Sequence, residues 1–199
     1  MSEFWNERYG PDQYYYGKDP NGFFKSCIDA YPAGKLLLPG DGEGRNSVYA
    51  ATQGWDVFSF DPSSEGKKKA LRLAEDKGTK IHYEESDLDG YAIEADTFDM
   101  IALIYVHLYP EERMRHHTRL LSALKPGGKL VMEVFSKKQM GNTSGGPKEL
   151  ELLYDINELK TDFQSLKIIK AEDLSIFHDE SFAHQGQAEV IRFIGEKKD

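Results

Sequence analysis

Cysteine is nearly absent from the chain: Cys27 is the only one in 199 residues. No intramolecular disulfide can form, so the core must hold itself together, and a reducing compartment is the simpler setting. Metal-ligand spacing is missing as well. His116-His117, His178 and His184 stand in no such pattern and no cysteine pair exists, so no metal is expected. Long apolar runs are also lacking. The longest, 100–108, is interrupted by His107 and is far too short to span a bilayer. The opening Met1-Ser2-Glu3-Phe4-Trp5 has neither the basic start nor the apolar core of a secretory signal, which gives the expectation of a cytoplasmic protein without a membrane partner. Basic charge is in deficit, with 25 Lys and Arg against 34 Asp and Glu and a net charge of −9. Such a surface repels phosphate backbones, so no nucleic-acid partner is expected. The one basic run, Lys67-Lys68-Lys69, reads as a solvated helix face. Neither a P-loop nor a Gly-x-Ser-x-Gly elbow occurs, which removes support for nucleotide hydrolysis and for acyl hydrolysis.

What is present is an ordinary globular composition, 39% hydrophobic and 12% aromatic. Nothing divides the sequence by repeat or linker, so one domain over 1–199 is expected, with 1–33 as a Tyr-, Gly- and Pro-rich cap and 34–199 as the body. A short helix is placed at 21–30. Strands and helices then alternate: strand 35–38, helix 44–53 closed by Gly54, strand 56–60, helix 63–77 closed by Gly78, and strand 80–83. Ala70, Leu71 and Ala74 are expected to form the buried face of the second helix. The run 98–105 is almost wholly apolar, as suits a central strand buried on both faces. Pro110 opens a helix whose inward stripe is read as Met114, Leu121 and Leu124, with Lys125-Pro126-Gly127-Gly128 as its stop. A strand at 129–135, a mobile loop at 141–147, a helix at 157–163 and two antiparallel strands at 166–177 and 189–194 complete the reading. The pattern predicts an α/β, doubly wound, mostly parallel seven-stranded sheet with helices on both faces and an antiparallel C-terminal edge.

In such folds ligands bind at the carboxyl ends of the strands. The first strand runs into Gly40-Asp41-Gly42-Glu43-Gly44, a turn that lets backbone approach a ligand and presents amides at a helix N-terminus. The second strand ends in Asp61, followed by Pro62; a carboxylate there can accept both hydroxyls of a ribose. The two features point to a nucleoside. A dinucleotide fingerprint needs a third glycine where this chain has Arg45, which argues for a ligand without phosphates and against a nicotinamide oxidoreductase.

From the glycine turn to Phe135 the chain resembles the class I S-adenosylmethionine-dependent methyltransferases. Gly40 through Asn46 is similar to that family's first motif as found in the tellurite-resistance branch, and Phe4-Trp5-x-x-x-Tyr9 is similar to the opening of those members. The resemblance implies a Rossmann-like methyltransferase fold, S-adenosylmethionine as cofactor and a small-molecule methyl acceptor. It assigns the cofactor to Trp5, Gly40, Gly42, Gly44, Arg45, Asp61, Pro62, Ser86, Asp87, Leu88 and Ile104. One position departs: the family's usual acid two residues before the first glycine is Leu38 here.

Methyl transfer needs an aligned nucleophile, exclusion of water and in some cases a base. Tyr105 and His107 at the end of the fourth strand, and Glu133 inside the fifth, are the candidate catalytic residues. His107 has the range of a general base; Glu133 is costly in an apolar strand unless paired. Arg45 could pair with an acidic acceptor, Asp41 or Glu43. Trp5 and Tyr14 to Tyr16 could wall the pocket, and Ser144 to Pro147 could act as a lid. A thiol acceptor would need no strong base. The alternative is a non-catalytic module that only binds the cofactor.

Overall fold

A computed structural model describes residues 2–181 and 183–198, the side chain of Glu180 excepted; Met1 of the opening segment lies outside them. One seven-stranded mixed sheet runs in the order β3-β2-β1-β4-β5-β7-β6. The strands are β1 (Lys35–Pro39), β2 (Asp56–Asp61), β3 (His82–Glu85), β4 (Phe98–Ile104), β5 (Leu124–Phe135), β6 (Leu166–Ser181) and β7 (His184–Lys197). The helices are α1 (Ser2–Tyr9), α2 (Gly22–Ala30), α3 (Arg45–Thr52), α4 (Ser64–Asp76), α5 (Pro110–Ala123) and α6 (Ile156–Asp162). This is the Rossmann-like methyltransferase architecture expected from the strand–helix alternation. The chain divides into two compact units, 1–92 with 180–183, and 93–179 with 184–199.

In the first unit β1 pairs parallel to β2, and β2 parallel to β3. Leu36, Leu37 and Leu38 are buried, as are Val57 and Phe60. Asn21 caps α2 through its side chain, which accepts from the Phe24 amide at 2.9 Å. The inward face of α4 is Gly66, Lys69, Ala70, Leu73 and Ala74. Leu71 falls one position off that stripe and is 41% exposed, so Leu73 takes the place expected for it. Lys69 is no solvated lysine. It is buried, and its ammonium meets Glu43 Oε1 at 2.8 Å and the Gln13 carbonyl at 2.8 Å.

In the second unit β4 pairs parallel to β5, and β5 antiparallel to β7. α5 ends at Ala123, directly before the Lys125–Gly128 segment as expected, but β5 begins at once at Leu124 and not at Lys129. The β4–β5 register jumps from Phe98↔Leu124 to Met100↔Lys129. Pro126 has no N–H to give the ladder, so the extra residues are accommodated as an irregularity there. The inward face of α5 is Arg113, His116, His117, Leu120 and Ala123, whereas Met114 is 50% exposed and Leu121 half-buried. Polar side chains can face inward because partners meet them. Arg113 donates to the carbonyls of Leu108, Glu151 and Leu153, and His117 Nδ1 lies 3.0 Å from Asp162. The 141–147 loop is pinned at its middle: Ser144 is buried and its hydroxyl donates to the Gln187 carbonyl. Among the described residues, no helix is long and apolar enough to cross a membrane.

Candidate functional site

The glycine turn is tied to β2 at both levels of the chain. Gly40 N donates to the Phe60 carbonyl at 2.8 Å, and Gly42 N to Asp61 Oδ2 at 3.1 Å. The other Asp61 oxygen accepts from Ser63 N at 2.9 Å. Two amides therefore fix the carboxylate, and two of its roughly four lone-pair positions stay available for a diol. Burial raises the Asp61 carboxyl to about 6, against the pull of those amides.

The space beside two of the glycines is filled by protein. A Cβ on Gly42 would lie 2.7 Å from the Tyr9 hydroxyl, and one on Gly44 2.5 Å from Ala70 Cβ. Both glycines also have positive φ, 60° and 85°, which a branched residue adopts only with strain. The turn thus needs glycine for its own packing as well as for ligand approach. From the other side Tyr83 donates to the Gly42 carbonyl at 2.6 Å. Burial holds both phenols, Tyr9 and Tyr83, well above their ordinary range.

Asp41 was read from sequence as a turn residue and as a candidate partner of Arg45. Both of its carboxylate oxygens are buried and close no hydrogen bond. Burial first and then nearby Asp61 push it up to about 7, moderated by the neighbouring hydroxyls of Ser47 and Ser59. An uncompensated acid in the turn marks a place that gains from positive charge. Leu38, where the resembling family usually has an acid, is a buried core side chain.

Glu43 is the hub of the cap. One oxygen takes Lys69, and the other accepts from Tyr15 N at 2.7 Å. Arg45 is buried, and its Nη1 donates to the Tyr16 carbonyl at 3.3 Å. Asn6 of α1 accepts from Ser63 Oγ at 2.7 Å and Glu65 N at 3.2 Å, which caps α4. Trp5 stacks on Tyr9, and Arg8 lies over Phe4, Trp5 and Tyr15. Trp5 therefore reaches the turn through Tyr9. Pro62 is half-buried behind Asp61. Ser86 N donates to the Asp61 carbonyl at 3.1 Å, which brings the 86–88 segment beside the acid. Asp87 is exposed and its Oδ1 accepts from the amides of Asp89 and Gly90, a self-closed turn.

The second unit assembles the other three candidates. Ile104 is buried at the end of β4, and Tyr105 follows with φ 57°, strained for a residue with a side chain. Its hydroxyl donates to Glu133 Oε1 at 2.7 Å and sits 3.0 Å from His178 Nε2. Glu133 is wholly buried, and its Oε2 takes Arg192 Nε at 2.6 Å across the β5–β7 ladder. That pairing answers the cost of a carboxylate in an apolar strand. His178 and His184, both buried, stack at 5.0 Å, and Tyr105 and Phe135 pack against them.

His107 stands differently from expectation. Its Nδ1 lies 2.8 Å from the Leu152 carbonyl, which can only accept, so Nδ1 carries the proton. Its buried Nε2 then offers a bare lone pair that no described residue meets. Burial lowers the imidazole to about 4, with Arg113 and His184 adding to the effect. It is neutral across the working range and weakly basic.

Arg192, His178, Tyr9 and Lys69 escaped the sequence reading. A cross-strand partner is visible only once the β5–β7 register is known, and α1 carried no apolar periodicity to mark it. The Phe4-Trp5-x-x-x-Tyr9 pattern was the one available signal for Tyr9.

A sheet of this order, a glycine turn after β1, an acid closing β2 and an antiparallel edge define the class I methyltransferase fold. The comparisons agree. Residues 37–128 match the family described as methyltransferase domain. TehB from Haemophilus influenzae superposes with a TM-score of 0.75 at 17% identity, covering 99% of this chain and 67% of that one. A protein studied for conversion of a disulfide bond into a thioacetal group during echinomycin biosynthesis gives 0.79 at 14% identity, over 99% and 89%. The 1,6-didemethyltoxoflavin-N1-methyltransferase of Burkholderia thailandensis, with bound S-adenosylhomocysteine, gives 0.64 at 17%, over 88% and 77%. No curated protein matches the chain in sequence. Residues 37–128 thus carry a methyltransferase domain, and the fold around them is the one shared by S-adenosylmethionine-dependent methyltransferases.

Proposed function

We propose that this enzyme works as one cytoplasmic domain and methylates a soft small-molecule nucleophile, a thiol before a phenol or an amine. One observation carries the choice of acceptor: His107 is a neutral imidazole whose single proton is committed to Leu152. Such a group orients an acceptor proton but removes it poorly, so the acceptor must reach its nucleophilic form with little help. Two neighbours in fold support the reading by what is said of them: one is the tellurite-resistance protein TehB, and the other is described by the conversion of a disulfide bond into a thioacetal group.

The cofactor supplies an electrophilic methyl group on a sulfonium. The residues proposed to hold it are Gly40, Gly42 and Gly44 through backbone, Asp61 at the ribose, Asp41 as the nearby negative charge, and Ser86 to Leu88 at the base. Arg45, Pro62, Trp5 and Tyr9 support the turn, and Ile104 is proposed as an apolar contact. Buried acids with unspent acceptor capacity suit a ligand bearing hydroxyls and positive charge. Tyr105, locked between Glu133 and His178, is proposed to position the acceptor. A net charge of −9 disfavours anionic macromolecules as substrates.

The test is a panel of thiols, phenols and amines incubated with S-adenosylmethionine, with adenosylhomocysteine release as the readout. Turnover with a thiol is expected. Turnover confined to phenols or amines would overturn the acceptor class.

A further inference from the structure

The last strand of the sheet is the least ordinary surface of the molecule. β6 runs 16 residues, where about 5–6 is usual, and contains neither proline nor glycine. It stands at the end of the strand order, so one side of its backbone has no strand partner among the described residues. Long unbroken edges of this kind are templates for pairing with another strand. Three of its apolar side chains are exposed, Ile168 at 41%, Ile169 at 46% and Phe177 at 76%; Ile169 and Phe177 share the face opposite to Leu174 and Ile176, which pack on the core.

Its charges are segregated. Lys167 and Lys170 occupy the first half of its sequence; Glu172, Asp173, Asp179 and Glu180 follow. A parallel copy would set like against like, whereas an antiparallel copy sets the basic half against the acidic one. We infer that β6 is a self-association edge, which pairs antiparallel with β6 of a second copy about a two-fold axis through Asp173.

The register follows from which residues must share a face. In an antiparallel pair, directly opposite residues point to the same side of the sheet. A two-fold axis normal to the sheet must therefore pass through a residue, not between two. Centred on Asp173, Lys167 opposes Asp179, Ile169 opposes Phe177 and Ala171 opposes Ser175. Centred one residue earlier, Lys167 meets Phe177; one later, Ile169 meets Asp179. Of these three registers, the first matches both charge and apolar bulk on the face that carries Ile169 and Phe177. Asp173 then faces its own copy, and each carboxylate is already held by Lys138 at 2.9 Å. The local contacts of Lys167 with Glu196 at 3.6 Å and of Lys170 with Glu172 at 3.0 Å are exposed pairs, which yield easily to a new partner. The interface is isologous and closed, so it stops at two copies.

One strand pair buries little surface, so the dimer should depend on concentration. Sedimentation velocity of the full chain, from low micromolar to hundreds of micromolar, should show twice the single-chain mass at the upper end, less of it in high salt. Lys167→Glu and Asp179→Lys should each weaken association about tenfold, and the double variant should restore it, since each charge pair occurs twice in the dimer. Phe177→Ser should give a monomer with unchanged circular dichroism and unfolding temperature. A chain monomeric at every concentration overturns the inference, and so does a double charge swap no better than its single parents. An edge that serves a foreign peptide instead would give the first of those results.

Discussion

The phenol of Tyr9 stands on Gly42, its hydroxyl 2.7 Å from the point where a Cβ on that glycine would lie. The same glycine sends its amide to Asp61 and receives Tyr83 on its carbonyl. α1 and the turn are one packed unit, so a change at the turn is felt as stability before it is felt as binding.

Gly42→Val should therefore lower stability. Positive φ and overpacking against Tyr9 each cost about 1–3 kcal/mol, together about 2–6 kcal/mol, which corresponds to a fall in Tm of roughly 4–24 °C. Thermal unfolding checks this, and in a double-mutant cycle Tyr9→Ala should cost less in the Gly42→Val background than in the wild type. A Gly42→Val variant as stable as the wild type would mean that Tyr9 yields freely.

Asp41 and Asp61 give the ligand-free protein a pH dependence of definite sign. Both carboxyls are raised by burial, to about 7 and about 6. Between the ordinary aspartate value of about 4 and pH 7 the folded state holds more protons than the unfolded chain. Their contribution is thus fully present below about pH 4 and lost as pH rises through 6 to 7. Asp41→Asn removes the larger part, so at pH 8 it should raise Tm by roughly 2–4 °C, about 1 kcal/mol, with no gain at pH 4. Cofactor affinity should fall in the same variant, whereas 5′-methylthioadenosine, which lacks the methionine end, should bind as before.

His107 acts with the opposite sign. Its folded value of about 4 lies below the ordinary 6.5, so stability is complete above about 6.5 and lost as pH falls through 4. In catalysis, His107→Asn should leave cofactor affinity near wild type and cost less than about tenfold in turnover with a thiol. The rate should show no break near pH 6.5 assignable to this residue. A hundredfold loss would return it to the role of general base.

Glu133→Gln removes the buried negative charge opposite Arg192 and leaves one acceptor oxygen where Tyr105 and Arg192 now use two. Because Arg192 keeps some exposure, the cost should fall at about 2–3 kcal/mol, a Tm drop of roughly 4–12 °C. Pairing it with Arg192→Gln should cost less than the sum of the single changes, as a double-mutant cycle can measure.

The strand–helix alternation, the glycine turn and Asp61 were legible because each is local: apolar period, turn residues and strand end lie in one stretch of chain. What failed was orientation. Leu71 and Met114 were assigned inward because they are apolar, but helix phase is set by the whole stripe, and in α5 that stripe is Arg113, His116 and His117. Buried polar residues look like surface until their partners are known. Lys69 and Glu133 were misjudged or left unpaired for the same reason, since Glu43 and Arg192 are joined to them only by the fold. His107 kept its place at the end of β4 but lost its basicity to burial, which no sequence pattern reports.

The central claim is tested most directly by calorimetric titration of the chain and of Asp61→Ala with S-adenosylhomocysteine. Asp61 holds Gly42 and Ser63 as well as offering its remaining acceptor sites to the ribose, so the variant must first be shown folded by its circular dichroism. Micromolar binding by the wild type, weakened tenfold or more in the folded variant, is the predicted result; a charged hydrogen bond of about 1.5–3 kcal/mol sets that scale. Absence of binding by the wild type, or equal binding by both, would contradict the assignment of this site.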